Sequence, residues 1–256
     1  MSISHDVIGQ RRAWTASLSL GLAALLMAGC ASGPTANRHD PIEPFNRGVF
    51  ELNDKVDRAV LRPVATAYRD VVPSPIRTGV SNFFYNLQDA WSFVNNGLQL
   101  KGEQAGNSFM RFGVNTAFGL LGVLDIATEM GIERHTEDFG QTLGHWGVGT
   151  GPYLVLPLLG PSTLRDAAAM GVDGKGNVLN HIDDVAVRNT ATAVNLLSQR
   201  SRLLRASEML DQVALDPYTF TRDAFMQRRR SAIYDGNPPQ EPEDPPATDN
   251  AKKVKE

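Results

Sequence analysis

Charge is distributed so unevenly along this chain that it limits the folds the chain can adopt. Residues 40–70 hold eleven charged side chains, residues 71–132 hold seven, and residues 139–164 hold none. Charged side chains are almost always solvated, so a long stretch without them avoids water. These segments either form a buried core or expose part of their surface to acyl chains. No segment after residue 30 approaches the roughly 20 apolar residues of a simple membrane span, so we expect a protein that lies in a membrane.

The amino terminus has the layout of a secretory signal that ends in a cysteine. Arg11 and Arg12 precede a mostly apolar run, and that run ends in Gly29 and Cys30, the only cysteine of the chain. A basic start, a short apolar centre and small residues at the cut are typical of export. The cysteine at this point predicts a lipoprotein with a signal peptide over residues 1–29 and a lipid anchor, diacylglyceryl and N-acyl, on Cys30. An ordinary signal with an incidental cysteine is the alternative.

Composition argues against a nucleic-acid partner and against disulfide bonds. Removal of residues 1–29 takes away Asp6, Arg11 and Arg12, which changes the net charge from −3 to −4. The mildly acidic product has no block of Lys or Arg that could follow a phosphate backbone, so we expect no nucleic-acid partner. With one cysteine, no disulfide can form within the chain.

Apolar spacing predicts a mainly α-helical single domain over residues 40–235, between a lipidated linker (30–39) and a disordered tail (236–256). The first helix is predicted to start with Asp40 as its cap and to end at Arg62 and Pro63. Its apolar stripe is Phe45, Val49, Leu52, Val56 and Ala59. Further helices are predicted from Ser74 as cap, over 102–118, from Pro161, over 180–213, and after Asp216. Glycines predict a loop or short extended pieces over 140–151, and residues 117–124 form either a lipid-dipping tip or a helix contact.

Catalytic and metal-binding motifs are sparse. No serine lies in a Gly-x-Ser-x-Gly elbow, and the glycines of residues 147–151 have the wrong spacing for a dinucleotide fingerprint. The five histidines are too scattered for a familiar metal pattern, so we expect no metal and no cofactor. His145 with Asp138, or Glu137 with Asp138, could serve as an acid–base pair. An enzyme is the minority interpretation.

Motifs distributed over residues 39–235 resemble the MlaA (VacJ) family of outer-membrane lipoproteins. They are Asp40-Pro41-x-Glu43-x-Phe45-Asn46-Arg47, Arg62-Pro63-Val64-Ala65, Tyr68-Arg69-Asp70, Arg111-Phe112-x-x-Asn115-Thr116, Glu137-Asp138-Phe139-Gly140-Gln141-Thr142-Leu143-Gly144-His145-Trp146, Leu164-Arg165-Asp166 and Asp216-Pro217-Tyr218. Residues 173–181 do not match the family pattern.

The resemblance implies a ring-like helical protein in the inner leaflet of the outer membrane, anchored on its periplasmic side. Such proteins draw mislocalised phospholipid from the outer leaflet and pass it to a soluble periplasmic lipid carrier, which maintains lipid asymmetry. They associate with trimeric porins. A passive structural role beside a porin is the alternative, and a lipid-modifying enzyme a less favoured one.

Polar residues within the charge-poor segments are the candidates for a lipid path. We assign Asn115, Arg111 and Arg165 to this path, and they either line it or satisfy buried backbone, as do Asn82, Asn86, Asn95, Asn96 and Asn107. Arg165 could instead pair with Asp166 and hold a helix start. Phe45 and Asn46, on the opening turn of the first helix, are the candidates for a gate.

Overall fold

The part of the chain that this computed structural model describes, residues 40–240, is built mainly of α-helices, as predicted. The signal peptide, Cys30, the linker up to residue 39 and the tail from residue 241 lie outside the described residues. In chain order the elements are α1 (Glu43–Val56), α2 (Arg62–Val71), α3 (Ser74–Leu98), α4 (Gly102–Phe118), α5 (Ile126–Glu129), α6 (Phe139–His145), β1 (Tyr153–Leu156), β2 (Gly160–Thr163), α7 (Leu164–Gly176), α8 (Val185–Val213) and α9 (Pro217–Ile233). A short 3-10 turn, Val178–His181, precedes α8.

The first predicted helix does not end at Pro63, and that prediction is wrong. A π-helical segment, Asp57–Leu61, joins α1 directly to α2. The Arg62 N–H donates to the carbonyl of Asp57, five residues back, instead of the usual four. Such wider turns release part of the regular hydrogen-bond ladder, which lets a helix accommodate a proline that would otherwise break it.

Asp40 is not the cap of α1. The helix begins at Glu43 after Ile42, and no side chain caps it. Asp40 is 1% exposed and accepts hydrogen bonds from Asn46, Tyr218 and Arg222. The sequence pattern of a capping box is present, but these distant donors hold the carboxylate more strongly than a local helix end could.

The predicted stripe of α1 is only partly buried. Phe45 and Leu52 are 61% and 50% exposed, whereas Asn46 is fully buried. Val49 packs beside the aromatic cluster formed by Tyr153, Val155 and Tyr218. Much of the apolar face of this helix therefore points away from the rest of the chain.

Predictions for α3 and α4 are confirmed. They form an antiparallel pair, and α4 has the predicted bounds. A helix start near residue 74 is confirmed, but the prediction that Ser74 caps it is wrong: Ser74 is the first helical residue, and Pro73 precedes it without a side-chain cap.

The glycine-rich segment is more ordered than predicted, because residues 139–145 form α6. A Cβ at Gly140 would lie 2.4 Å from the Arg229 guanidinium, and one at Gly144 would lie 2.7 Å from that of Arg165. The glycines are therefore needed for close packing of this short helix, and tertiary contacts override their low helix propensity. The remainder is a turn followed by the antiparallel hairpin β1–β2.

The last three long helices begin at side-chain caps. Thr163 caps α7, Asp184 caps α8 and Asp216 caps α9, each by accepting a backbone N–H from the first turn. The start after residue 216 is confirmed. The helix predicted from Pro161 begins at Leu164, because residues 160–163 pair as β2, and the helix predicted from residue 180 begins at Val185. Of these helices, α7 and α9 pack on α6 and β2, whereas α8 packs on α2 and α3.

Candidate functional site

A row of polar side chains fills the contact between α3 and α4, and we call it the polar seam. Apart from the adjacent Asn95 and Asn96, its members recur every three or four residues along each helix. Each is 1% exposed or less: Asn86, Asp89, Ser92, Asn95, Asn96, Ser108, Arg111 and Asn115. Helical residues at this spacing share one face. The face that would carry leucines in an ordinary soluble helix pair therefore carries amides, hydroxyls and charges.

Arg111 is the centre of the seam. Its Nη2 donates to both oxygens of Asp125, at 2.7 and 2.8 Å, and to Thr128 at 3.1 Å. Its Nη1 donates to the carbonyl of Ile132, and its Nε lies 3.5 Å from Asp89. A bidentate arginine–carboxylate pair with further partners fixes the guanidinium in one orientation.

Asn115 completes the same arrangement. Its Nδ2 donates to Asp125 at 3.0 Å, and its Oδ1 accepts the N–H of Ala127 at 2.8 Å. Burial alone would raise the pKa of Asp125, but the hydrogen bonds from Thr128 and Asn115 and the charge of Arg111 lower it. Two of the three candidate path residues thus share one carboxylate.

Asp89 is a buried carboxylate of the polar seam whose pKa is raised. It lies between Arg111 and Arg134, whose Nε is 3.2 Å away. Burial raises the pKa of Asp89 to about 6, against the opposing charges of Arg134 and Arg111. Removal of a carboxylate from water disfavours its ionised form, and here this effect exceeds the attraction of two guanidinium groups.

Two open cavities adjoin this cluster. One, of about 310 Å³, is lined by Arg111, Asp125, Thr128, Ile132 and Arg134 among others. The other, of about 530 Å³, shares Asp125 and extends to Asn82 and the start of α3. Solvent-sized space therefore reaches the charged end of the seam.

Arg165, the third candidate path residue, belongs to another buried cluster. It is 5% exposed, donates to Asp166 at 3.0 and 3.1 Å, and reaches the carbonyl of Val148. Arg229 bridges Asp166 to Asp138 with four short contacts. The pairing with Asp166 that the sequence left open is therefore present, and Arg165 shares no contact with Arg111 or Asn115 among the described residues.

The two candidate gate residues have opposite environments. Phe45 is exposed, whereas the buried Asn46 amide donates to Asp40 at 2.8 Å and to the Tyr153 carbonyl at 3.0 Å. Its Oδ1 accepts the N–H of Val155 at 2.9 Å. Asn46 thereby connects the start of α1 to β1.

The acid–base pair considered from the sequence does not assemble. Asp138 caps the start of α6 and pairs with Arg229, while His145 is the exposed last residue of the same helix. Seven residues of helix separate them by about 10 Å. Glu137 binds Gln99 and Lys101 instead of Asp138.

Within residues 40–240, no group of three His, Cys, Asp or Glu side chains could hold a metal ion. Over the same residues, no helix has the length and apolar content required to cross a bilayer.

Sequence reasoning missed the neighbours that hold the candidate residues. Asp89 and Asp125 stand out as acids in the charge-poor segment, and that isolation was the available signal. Arg134 and Arg229 carry no such signal, because they lie in charged stretches of the sequence.

Comparison with known proteins gives consistent matches along most of the chain. A family model for MlaA lipoproteins matches residues 38–232. The intermembrane phospholipid transport system lipoprotein MlaA of Escherichia coli (strain K12) is 40% identical over 216 residues, which are 82% of this chain and 85% of that protein. The protein of the same name from Haemophilus influenzae is 33% identical and covers 84% of this chain and 89% of its own.

A solved structure reported as "Structural basis for maintenance of bacterial outer membrane lipid asymmetry" has the same fold. It matches with a TM-score of 0.68 and 37% identity, over 78% of this chain and 100% of that one. The mainly helical fold and the family match define a membrane-associated lipoprotein. This chain belongs to the MlaA lipoprotein family.

Proposed function

We propose that this protein transports phospholipid between membranes, removing mislocalised phospholipid from the outer leaflet of the outer membrane. It would pass the lipid to a periplasmic lipid carrier and so maintain lipid asymmetry. The relatives bear the name of an intermembrane phospholipid transport lipoprotein, and the solved structure concerns outer-membrane lipid asymmetry.

The observation that carries the proposal is that most buried side chains are polar, whereas many large apolar side chains are exposed. Among the described residues, twenty buried side chains are polar or charged and ten are apolar, of which four are alanines. Thirty-five large apolar side chains are exposed on the same residues. Exposed apolar surface on this scale marks an interaction with lipid or another protein.

This polarity suits the physical problem of moving a lipid. A phospholipid headgroup that crosses hydrocarbon loses its hydrogen bonds, which costs several kcal/mol per polar group. A protein with apolar outer faces and a polar interior removes most of that cost without covalent chemistry. We assign Arg111 and Asn115 to the polar path, and Arg165 to a second polar point whose contacts are satisfied within the chain.

The same proposal places the protein in the inner leaflet of the outer membrane, held by acyl chains on Cys30. A trimeric porin and a soluble lipid carrier in the periplasm are the proposed protein partners. Two acyl chains are needed for stable anchoring. We propose Phe45 and Asn46 as a gate, and the link that Asn46 makes between α1, Asp40 and β1 supports this role.

The decisive experiment compares outer-leaflet phospholipid in a deletion strain and in the same strain complemented with the wild-type or the Cys30→Ala gene. We expect surface phospholipid to rise on deletion, to fall with the wild-type gene, and to stay high with Cys30→Ala. Unchanged surface phospholipid on deletion would favour a structural role beside a porin. Release of fatty acid from labelled phospholipid by the purified protein would favour an enzyme.

A second experiment tests the gate. Deletion of Phe45 and Asn46 rotates the following part of α1 by about 200° relative to the chain before it. It also removes the amide that holds β1. We expect misrouted lipid in a protein that still reaches the membrane, and normal asymmetry with normal detergent resistance would contradict the gate. Gly48→Ala, a change in the same helix whose Cβ would meet nothing within 4 Å, is the control.

A further inference from the structure

Two turns of the described structure carry the same tripeptide, Leu-Leu-Gly. Leu120-Leu121-Gly122 follows α4, and Leu158-Leu159-Gly160 connects β1 to β2. We call these turns the leucine tips. All four leucines are exposed, by 65 to 69%. Their side chains therefore contribute little to the interior of this chain.

Three of these four leucines have a backbone conformation that is rare for leucine. Leu120, Leu121 and Leu158 have φ values of 53°, 59° and 63°. This left-handed region favours glycine, asparagine and aspartate, because a Cβ meets the following carbonyl and only a short polar side chain compensates. Leucine here weakens the turn and adds nothing to the core. The remaining reason for its presence is contact outside the chain.

Asparagines fix both tips in place. The Asn53 amide donates to the Leu156 carbonyl at 2.9 Å and accepts the Leu158 N–H at 2.7 Å. At the other tip, Asn82 donates to the Val123 carbonyl at 3.1 Å. A Cβ on Gly122 would lie 2.5 Å from Asn86. Contacts with these asparagines therefore fix the backbone that carries the exposed leucines.

Most N–H groups of the first tip are paired within the turn itself. The N–H groups of five residues donate to carbonyls of residues 115–120: Gly119, Leu121, Gly122, Val123 and Leu124. A turn in water needs no such pairing, because water supplies partners. A turn that enters hydrocarbon does need it, since an unpaired backbone group is costly there.

We propose that the two leucine tips insert into the acyl chains of the membrane as fixed apolar anchors, in addition to the lipid on Cys30. Residues 118–124 and 156–161 contain no charged residue and no Trp, Tyr or Arg. Those three residue types supply most of the binding energy at protein–protein contacts, so the tips fit lipid better than a protein partner. The proposal rests on the membrane placement given under the proposed function.

The first test measures the depth of each tip. Acylated Cys30 leaves the mature lipoprotein without a free thiol, so Leu121→Cys and Leu159→Cys each provide a unique site for an environment-sensitive fluorophore. The full lipoprotein is reconstituted in vesicles of phosphatidylethanolamine and phosphatidylglycerol. We expect loss of emission with brominated acyl chains and little loss with aqueous iodide. Glu208→Cys, at an exposed charged position of α8, should show the opposite pattern.

Labels at both tips that respond as Glu208→Cys does would overturn the proposal. Protection from iodide that arises only after a porin is added would identify a protein contact and overturn it as well. Neither measurement requires lipid transfer. If the tips do not insert, the transport proposal is unaffected. If surface phospholipid is unchanged in the deletion strain, the proposal that the tips insert is unaffected.

A second test distinguishes leucines that anchor the protein in the membrane from leucines that stabilise the turn. Leu158→Asn places a residue that tolerates the left-handed region at the position where φ is 63°, and Leu159→Asn removes the second exposed leucine, so we expect an unchanged or raised Tm for the double variant. In the Cys30→Ala background, the same change should reduce the fraction of protein that sediments with the vesicles. A lowered Tm, or an unchanged bound fraction, would contradict the proposal.

Discussion

Between α3 and α4 the buried contacts are made by asparagine, serine, aspartate and arginine, whereas beside β1 they are made by Tyr153, Val155 and Tyr218. The aromatic cluster is stabilised by burial and by edge-on ring contacts, such as that of Phe50 with Tyr218 at 5.6 Å. The polar seam depends on hydrogen bonds and ion pairs between buried groups, and a few of its atoms, such as Asn86 Oδ1 and Asn96 Oδ1, have no hydrogen-bond partner among the described residues.

This difference shows how the two regions respond to change. Apolar packing loses free energy in proportion to the volume removed, and a hydroxyl within it can be dispensable. A buried ionic network loses much more when one member is removed, because the remaining charge stays buried without compensation. The seam should therefore be the more sensitive region.

The largest expected effect comes from Arg111→Met. It leaves Asp89 and Asp125 only the partly exposed Arg134 as a shared guanidinium among the described residues. Removal of one partner of a buried ion pair costs about 3–5 kcal/mol, and because Arg134 remains we expect a loss of about 3 kcal/mol, the lower end of that range. Urea unfolding in detergent measures the loss. Arg58→Met, which breaks the exposed pair with Asp54, should cost about 0.5 kcal/mol or less. Equal losses for both variants would show that the seam is not a special region.

The next effect is a pH dependence from Asp89. Its pKa in the folded protein, about 6, is above the ordinary value of 3.8, so folding favours the protonated form. The resulting stability is fully present below pH 3.8 and is lost as pH rises through about 6. A shift of about two units corresponds to roughly 3 kcal/mol.

Asp89→Asn should remove this contribution between about pH 4 and pH 6, which unfolding curves at several pH values would measure. Asp125 has a lowered pKa and acts in the opposite direction, because its stabilisation is lost as pH falls below the ordinary range. The same slope in Asp89→Asn and the wild type over this interval would refute the assignment.

A smaller effect distinguishes two tyrosines of the aromatic cluster. The Tyr218 hydroxyl donates to the buried Asp40, so Tyr218→Phe should cost about 1–3 kcal/mol. The buried Tyr153 hydroxyl has no hydrogen-bond partner among the described residues, so Tyr153→Phe should be neutral or stabilising. Thermal unfolding of the two variants is the measurement. A larger loss for Tyr153→Phe would reverse the interpretation.

The smallest effect concerns glycines on the outer faces of two helices, α1 beside the aromatic cluster and α4 beside the polar seam. A Cβ at Gly48 in α1 or at Gly106 in α4 would meet nothing within 4 Å. Each glycine-to-alanine change should therefore raise the free energy of unfolding by up to about 1 kcal/mol. Gly79→Ala is the contrasting variant, because its Cβ would lie 2.9 Å from Val123. A loss at Gly48 or Gly106 would point to an unseen contact on that outer face.

The sequence by itself determined the helical class and most helix positions. The bounds of α4 and the starts of α3 and α9 follow from local signals, namely apolar spacing, proline near a helix start and capping side chains. These signals act within a few residues, so a single sequence contains all the information they need. The pattern that predicts a lipoprotein signal and the family motifs are local in the same sense.

Only the tertiary structure decided which groups share a site. Asp40 has the spacing of a helix cap but is held by Tyr218 and Arg222, 178 and 182 residues away. The helix passes Pro63 through a π segment, and α6 forms despite its glycines because Arg229 and Arg165 pack against them. Arg111 and Asn115 meet at Asp125, and Arg229 joins Asp138 to Asp166, 91 and 63 residues away from it. These outcomes depend on contacts between distant residues, whose free energies exceed the local preferences that a sequence displays.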